Sequence, residues 1–264
     1  MDIRNVAIIA HVDHGKTTLV DQLLRDAGVL RRSEVGVDRI MDSSDLERER
    51  GITILSKNTA VTYGDTRINI VDTPGHADFA SETERALWAI DGAVLVISGT
   101  DGVQAHTENL WRILRERHIP TIAFVNKLDR ETASYETCIS DIRSALTFNA
   151  FNLNNEEDLA LQAGRGDESI LDGYLEQGTL DREKAIGALS RIMKEDCLPV
   201  LGGSAYTGKG VPELMNAVTA LLPAPGGDEN APVSGIVFAL ENDAALGRAA
   251  WVRLFDGKSK TATA

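Results

Sequence analysis

The chain of 264 residues exceeds one typical domain, so one large α/β domain, or one domain plus part of another, is expected. With 43% hydrophobic and 25% charged residues it has the balance of a globular protein and not of a disordered or fibrous one. The net charge of −13 argues against DNA as a partner, and the absence of a bilayer-length apolar run or a secretory leader argues against a membrane; a cytoplasmic location is expected.

The first apolar run, residues 6–10, reads as a buried strand and leads without a gap into Ala10-His11-Val12-Asp13-His14-Gly15-Lys16-Thr17-Thr18, where a helix over residues 16–27 begins. Strand, Gly-Lys-Thr turn and helix in this order describe a phosphate loop. Successive backbone N–H groups and the helix N-terminus face the phosphates, Lys16 reaches the β and γ phosphates, and the Thr17 hydroxyl is offered to Mg²⁺. Ala10 takes the place of the glycine in the generic pattern, and a Gly-Lys-Thr run by itself also arises by chance.

Residues 31–48 are polar, with Arg31, Arg32, Arg39 and Arg48 set among Glu34, Asp38, Asp42, Asp45 and Glu47. On charge this is a solvated segment, although the arginines would also suit a phosphate backbone. Its few core-forming residues fit a mobile switch ending at Gly51-Ile52-Thr53-Ile54. There Thr53 offers a hydroxyl to Mg²⁺ and an N–H to a γ-phosphate only while that phosphate is present; a plain strand residue is the other reading. An edge strand over 59–63, a tight turn at Gly64-Asp65 and a strand over 68–71 predict one antiparallel hairpin. Asp72-Thr73-Pro74-Gly75-His76 then stands at a strand's C-terminal end, where open parallel sheets place ligands. Asp72 is expected to hold Mg²⁺ through water and the Gly75 N–H to bond the γ-phosphate.

A helix over 79–90, a strand over 93–97, a helix over 106–117 and a strand over 121–125 continue the alternation, and the last ends in Asn126-Lys127-Leu128-Asp129. A carboxylate accepts two hydrogen bonds from adjacent donors, and guanine offers such a pair on its Watson–Crick edge whereas adenine does not. Asp129 is therefore expected to select GTP, Lys127 to lie along the base plane, and Asn126 to tie this loop to the phosphate loop. After a helix over 135–146 the chain turns acidic: residues 131–232 hold 7 basic and 17 acidic side chains. Residues 148–197 are read as an insertion, with a polar cluster at 152–158 and helices near 170–176 and 182–193. A strand over 199–201 leads to Gly203-Ser204-Ala205, expected to complete the base pocket through backbone N–H groups, and a helix follows over 212–222. Cys138 and Cys197 show no metal-ligand spacing and read as buried reduced thiols.

The expected fold is therefore α/β: a P-loop NTPase with a mainly parallel sheet, helices on both faces, a helical insertion and the start of a β-barrel domain. The expected division is a GTP-binding domain at 1–223 with its insertion at about 148–197, a linker at 224–232, and an incomplete barrel at 233–264. Within the last, strands fall at 233–240 and 251–255 and a turn at Asp256-Gly257.

Taken in order, AHVDHGKTT, ERGITI, DTPGH, NKLD and GSA resemble the translational GTPases, the class of elongation factor G, BipA/TypA and the tetracycline ribosomal-protection proteins. The resemblance covers about residues 4–223. Residues 4–79 are most similar to BipA/TypA, and the chain from 86 onward to elongation factor G and the ribosomal-protection proteins. His106 stands where these families usually have glutamine. The resemblance implies that His76 is the catalytic histidine that orients attacking water, with Val12 and Ile52 as the apolar pair that screens it; capping of the next helix is the other role open to His76. An imidazole of ordinary pKa, about 6.5, is a weak base for water, so positioning and electrostatics are the expected contribution. It further implies GTP/GDP and Mg²⁺ as cofactors and the ribosome, its rRNA and proteins, as partner of a monomeric GTP-hydrolysing translation factor. A GTP-dependent binding module without ribosome-stimulated turnover is the alternative. His11, His14 and His118 are expected to be backbone-fitting or surface residues.

Overall fold

The structure, a computed structural model, describes residues 2–28, 57–73, 80–243 and 247–259. In chain order it contains β1 (Asp2–Ala10), α1 (Lys16–Asp26), β2 (Lys57–Tyr63), β3 (Thr66–Asp72), α2 (Ala80–Ala86), β4 (Gly92–Ser98), α3 (Ala105–Glu116), β5 (Thr121–Asn126), α4 (Tyr135–Ala145) and β6 (Ala150–Asn152). There follow α5 (Glu156–Gly164), α6 (Glu168–Gln177), α7 (Arg182–Ile192), β7 (Leu198–Gly202), α8 (Val211–Leu221), β8 (Ser234–Asp243) and β9 (Gly247–Asp256).

Every residue of β4 and β5 is buried, which is what strands covered on both faces require and why they read as unbroken apolar runs. Side chains of β1 alternate between the faces. Val6, Ile8 and Ala10 join one apolar cluster with α1, α5, α7 and α8, whereas Ala7 and Ile9 join another with α3 and α4. The seven strands lie in the order β2-β3-β1-β4-β5-β7-β6, and the β2–β3 hairpin is the antiparallel pair at its edge. Parallel strands joined through helices bring the loops that follow β1, β3, β5 and β7 to one end of the sheet, and the candidate site is built from those loops.

The acidic middle of the chain holds two elements that the pattern did not announce. β6 is only three residues long, yet it pairs in parallel with β7 and extends the main sheet. α5 starts inside the polar cluster: the Asn155 side chain accepts from the Asp158 N–H at 2.9 Å, and the acidic residues Glu156, Glu157 and Asp158 fill the first turn. Acidic residues behind an Asn cap are stabilised by the helix dipole, so that polarity marks a helix start and not a loop. α5 and α7 bury Leu159, Ala163, Ala185, Ala188 and Leu189 in the main core, while α6 buries none of its side chains. The helix expected over 79–90 stops at Ala86, after which the N–H groups of Trp88 and Ala89 close tighter turns on Arg85 and Ala86.

The strands expected after the linker form an antiparallel pair: β8 starts one residue later than expected and runs on to Asp243, and β9 is longer than expected at both ends. Asp256 closes β9, and Gly257 takes a left-handed φ of 75° while its N–H donates to the Asp228 carbonyl at 2.9 Å. Among the described residues no helix is long and apolar enough to cross a membrane.

Candidate functional site

The loop after β1 turns on Asp13 at φ 62° and Gly15 at φ 89°. At Gly15 glycine is required twice over: the left-handed backbone disfavours a side chain, and a Cβ would come within 2.4 Å of the Asn126 side-chain nitrogen. No side chain caps α1 at Gly15, so the N–H groups of its first turn face an anion site without a local competitor. Lys16, 7% exposed, places its ammonium against the carboxylate of Asp72, 1% exposed, so the cationic phosphate-binding group and the candidate metal-binding group lie side by side. Thr17 is half-buried beside them and Thr18 is exposed. Thr73 donates from its hydroxyl to the Ile8 carbonyl at 3.1 Å and fixes the exit of β3 beside β1.

Among the described residues no group of three or more His, Cys, Asp or Glu could hold a metal ion by itself. The set expected for Mg²⁺, Thr17, Thr53 and Asp72, is poor in carboxylates, and this donor chemistry fits an ion that keeps waters and takes phosphate oxygens. Ile52, Thr53, Gly75 and His76 lie outside the described residues.

Asn126, at the end of β5, joins three loops. Its side-chain N–H donates to the His14 carbonyl at 3.0 Å and its Oδ1 accepts from the Ala205 N–H at 2.8 Å. Lys127 follows in the left-handed region at φ 64°, and the Leu128 N–H returns to the Gly203 carbonyl at 3.0 Å. The Leu128 side chain fills a slot where a Cβ on either Gly99 or Gly202 would approach within 2.8 Å. At Asp129 the Ser204 hydroxyl is the main cause holding the carboxyl below the usual carboxylate range, so an acceptor-only carboxylate is presented at neutral pH.

The backbone of residues 203–205 packs against the loop that carries Asn126. Their three N–H groups are already engaged: Gly203 donates to Val125, Ser204 to Lys209 and Ala205 to Asn126. What this loop supplies is the Ser204 hydroxyl beside Asp129, together with the lock on Asn126.

His14 is buried, with Nδ1 3.4 Å from the Val96 carbonyl, and burial drives its imidazole down to about 4, so it is neutral. Its ring meets that of His11 edge-on at 5.1 Å, and His11 lies 5.8 Å from His106 on α3. His118 is exposed at a left-handed φ of 52°, and Val12 is half-buried. The two cysteines are free and buried, each pushed up to about 12 by burial, which leaves them inert. Sequence reasoning passed over Asp101, whose carboxylate lies 3.7 Å from the Lys127 ammonium. The one available signal was an Asp-Gly turn directly after a fully buried strand.

A model of the elongation factor Tu GTP binding domain matches residues 1–224. The tetracycline resistance protein TetP of Clostridium perfringens is 36% identical over 97% of this chain and 43% of its own length. The large ribosomal subunit assembly factor BipA of Bacillus subtilis is 55% identical over a shorter match, 53% of this chain and 23% of its own. A crystal structure of a Thermus thermophilus protein superposes with a TM-score of 0.81 at 24% identity, covering 97% of this chain and 46% of that one, and shares the fold. The chain thus spans less than half the length of these relatives.

Proposed function

The chain belongs to the family of the elongation factor Tu GTP binding domain, and on that premise we propose that it binds Mg²⁺·GTP, hydrolyses it to GDP and phosphate, and works as a translation factor on the ribosome. The observation that carries this reading is the placement of Asn126, which ties the loop of Lys16 and the loop of Ser204 to its own loop, that of Asp129, through two buried hydrogen bonds.

In this reading the first-turn N–H groups of α1 and Lys16 hold the phosphates, and Thr17, Thr53 and Asp72 hold Mg²⁺, which when bound neutralises β- and γ-phosphate charge. Asp129 accepts from two guanine N–H groups, with Ser204 holding its carboxylate. Gly75 donates to the γ-phosphate, and His76 orients the attacking water in the role that the family resemblance implies. The name of the BipA relative, a large ribosomal subunit assembly factor, supports the ribosome as partner; in this reading the protein is a cytoplasmic monomer. β8 and β9 are taken as the first hairpin of the barrel domain.

Base choice and chemistry are tested together. Asp129→Asn exchanges an acceptor for an amide that meets guanine's donors with its own, so affinity falls for GTP and rises for xanthosine triphosphate. His76→Ala leaves Mg²⁺·GTP affinity within a few fold but lowers ribosome-stimulated turnover by roughly 10²-fold or more. Unchanged base preference in a competition titration overturns the base-reading loop. Unchanged turnover makes His76 structural, and turnover that ribosomes never stimulate favours the binding-module reading.

A further inference from the structure

The left-handed backbone at Lys127 costs energy for a residue with a side chain and aims that side chain in one direction. A lysine stem so aimed still has four rotatable bonds, and it lies flat on a base only if something holds its far end. In the structure the far end is held. The ammonium lies 3.7 Å from the Asp101 carboxylate, with Lys127 29% exposed and Asp101 51% exposed.

The turn that carries Asp101 is rigidly made. The Gly102 N–H donates to the Ser98 carbonyl at 2.9 Å, with Gly102 at φ 65°. The hydroxyls of Ser98 and Thr100 bond one another at 2.8 Å, and Thr100 also donates to the Asp101 carboxylate at 3.1 Å. Gln104, the cap of α3, donates from its amide to the Asp101 carbonyl at 2.6 Å. A Cβ at Gly102 would stand 2.7 Å from the Asp141 carboxylate, so the turn is also boxed in from α4. Hydrogen bonds from Ser98 and Thr100, followed by the Lys127 charge, hold the Asp101 carboxyl below the usual range and keep it an anion.

We infer that Asp101 is a positioning residue for base recognition: its carboxylate anchors the Lys127 ammonium so that the lysine stem is held flat against the plane of the bound base. This rests on the reading of residues 126–129 as the guanine-reading loop and adds to it a division of labour. Asp129 reads the edge of the base and so discriminates between bases. Asp101, acting through Lys127, serves the face, which every purine presents alike.

The test is the dissociation rate of fluorescently labelled GDP and IDP from the wild-type chain and from Asp101→Asn, which keeps the shape and removes the charge. An ion pair this exposed is worth ~2- to 5-fold, so dissociation accelerates by that factor, equally for GDP and IDP. Because the effect is ionic, the ratio of variant to wild type shrinks toward one in 1 M KCl, and thermal stability of the nucleotide-free protein stays the same. Asp101→Glu recovers part of the wild-type rate. Unchanged dissociation in Asp101→Asn overturns the inference. So does an acceleration that is insensitive to salt and accompanied by a lower melting temperature, which would assign Asp101 to the turn alone. The parent reading fails separately: if Asp129→Asn leaves the GDP-to-XDP preference unaltered, the loop does not read the base, whatever Asp101 does.

Discussion

At the C-terminal ends of β1, β5 and β7 the loops are fastened through backbone groups bridged by a few side chains, whereas at the opposite end of the same sheet a backbone bond from the Asp91 N–H to the Asn5 carbonyl is supplemented by a chain of polar side chains. In the first region the His14 carbonyl and the Ala205 N–H converge on Asn126, and the Gly203 carbonyl receives Leu128. In the second, Asp91 accepts from Asn5 at 2.7 Å and from Arg253 of β9 at 2.8 Å, and Asn5 in turn accepts from Asn69 at 2.7 Å. That chain of side chains ties β9 to the sheet through Arg253, alongside the buried Phe238 and a cavity of about 390 Å³ bordered by Asn58, Phe238 and Trp251. Backbone groups cannot be removed by substitution, so the first region hangs on the few side chains that bridge them. The second spreads its load and sits nearer water, with Arg253 and Asp91 retaining 12% and 19% exposure.

The contrast predicts that the largest effect comes from Asn126→Ala. It leaves two buried backbone groups without partners, at about 1–3 kcal/mol each, so guanine-nucleotide affinity should fall roughly 100-fold. Calorimetric titration with GDP checks this. An affinity within threefold of wild type would mean that the loops hold their shape without the bridge, and the contrast would collapse.

Next in size is a pH effect at the same end. Burial holds the His14 imidazole at about 4, against 6.5 for an unfolded histidine, so as pH falls the unfolded chain takes the proton before the native one. The His14 contribution is thus complete above pH 6.5 and is lost progressively toward pH 4, the loss reaching about 2 kcal/mol at pH 5. Melting curves of nucleotide-free wild type and His14→Gln should converge as pH drops from 7 to 5. Parallel curves would show that His14 is protonated in the native state.

The smallest effect is expected at the side-chain end. Burial outweighs Arg253 at Asp91 and raises its carboxyl above the usual range, so the pair is a modest attachment. Arg253→Ala should cost about 1 kcal/mol, read as faster amide hydrogen exchange in β8 and β9 with little change in GDP affinity. A large loss of affinity would instead couple the two ends of the sheet.

Much of this was legible beforehand because it rests on local rules. Parallel strands buried on both faces must be apolar along their middles, as β4 and β5 are, and Gly15 needs a backbone that only glycine adopts easily. β6 was not legible, since three residues carry no period and Ala150–Asn152 becomes a strand only by pairing with β7. α5 was obscured because its acidic first turn has the composition of a loop.

Within the candidate site, the sequence by itself determined which residue types stand where phosphate, Mg²⁺ and guanine would be met, because backbone turns and hydrogen-bonding chemistry demand those types at those spacings. The tertiary structure decided who holds them. That Asn126 also takes the Ala205 N–H, that the N–H groups of residues 203–205 are turned inward, and that Asp101 stands against Lys127 all depend on strands apart in the chain lying side by side. Contacts of that kind leave no periodic trace in the sequence, because they are set by the order of strands in the sheet and not by the neighbours of each residue.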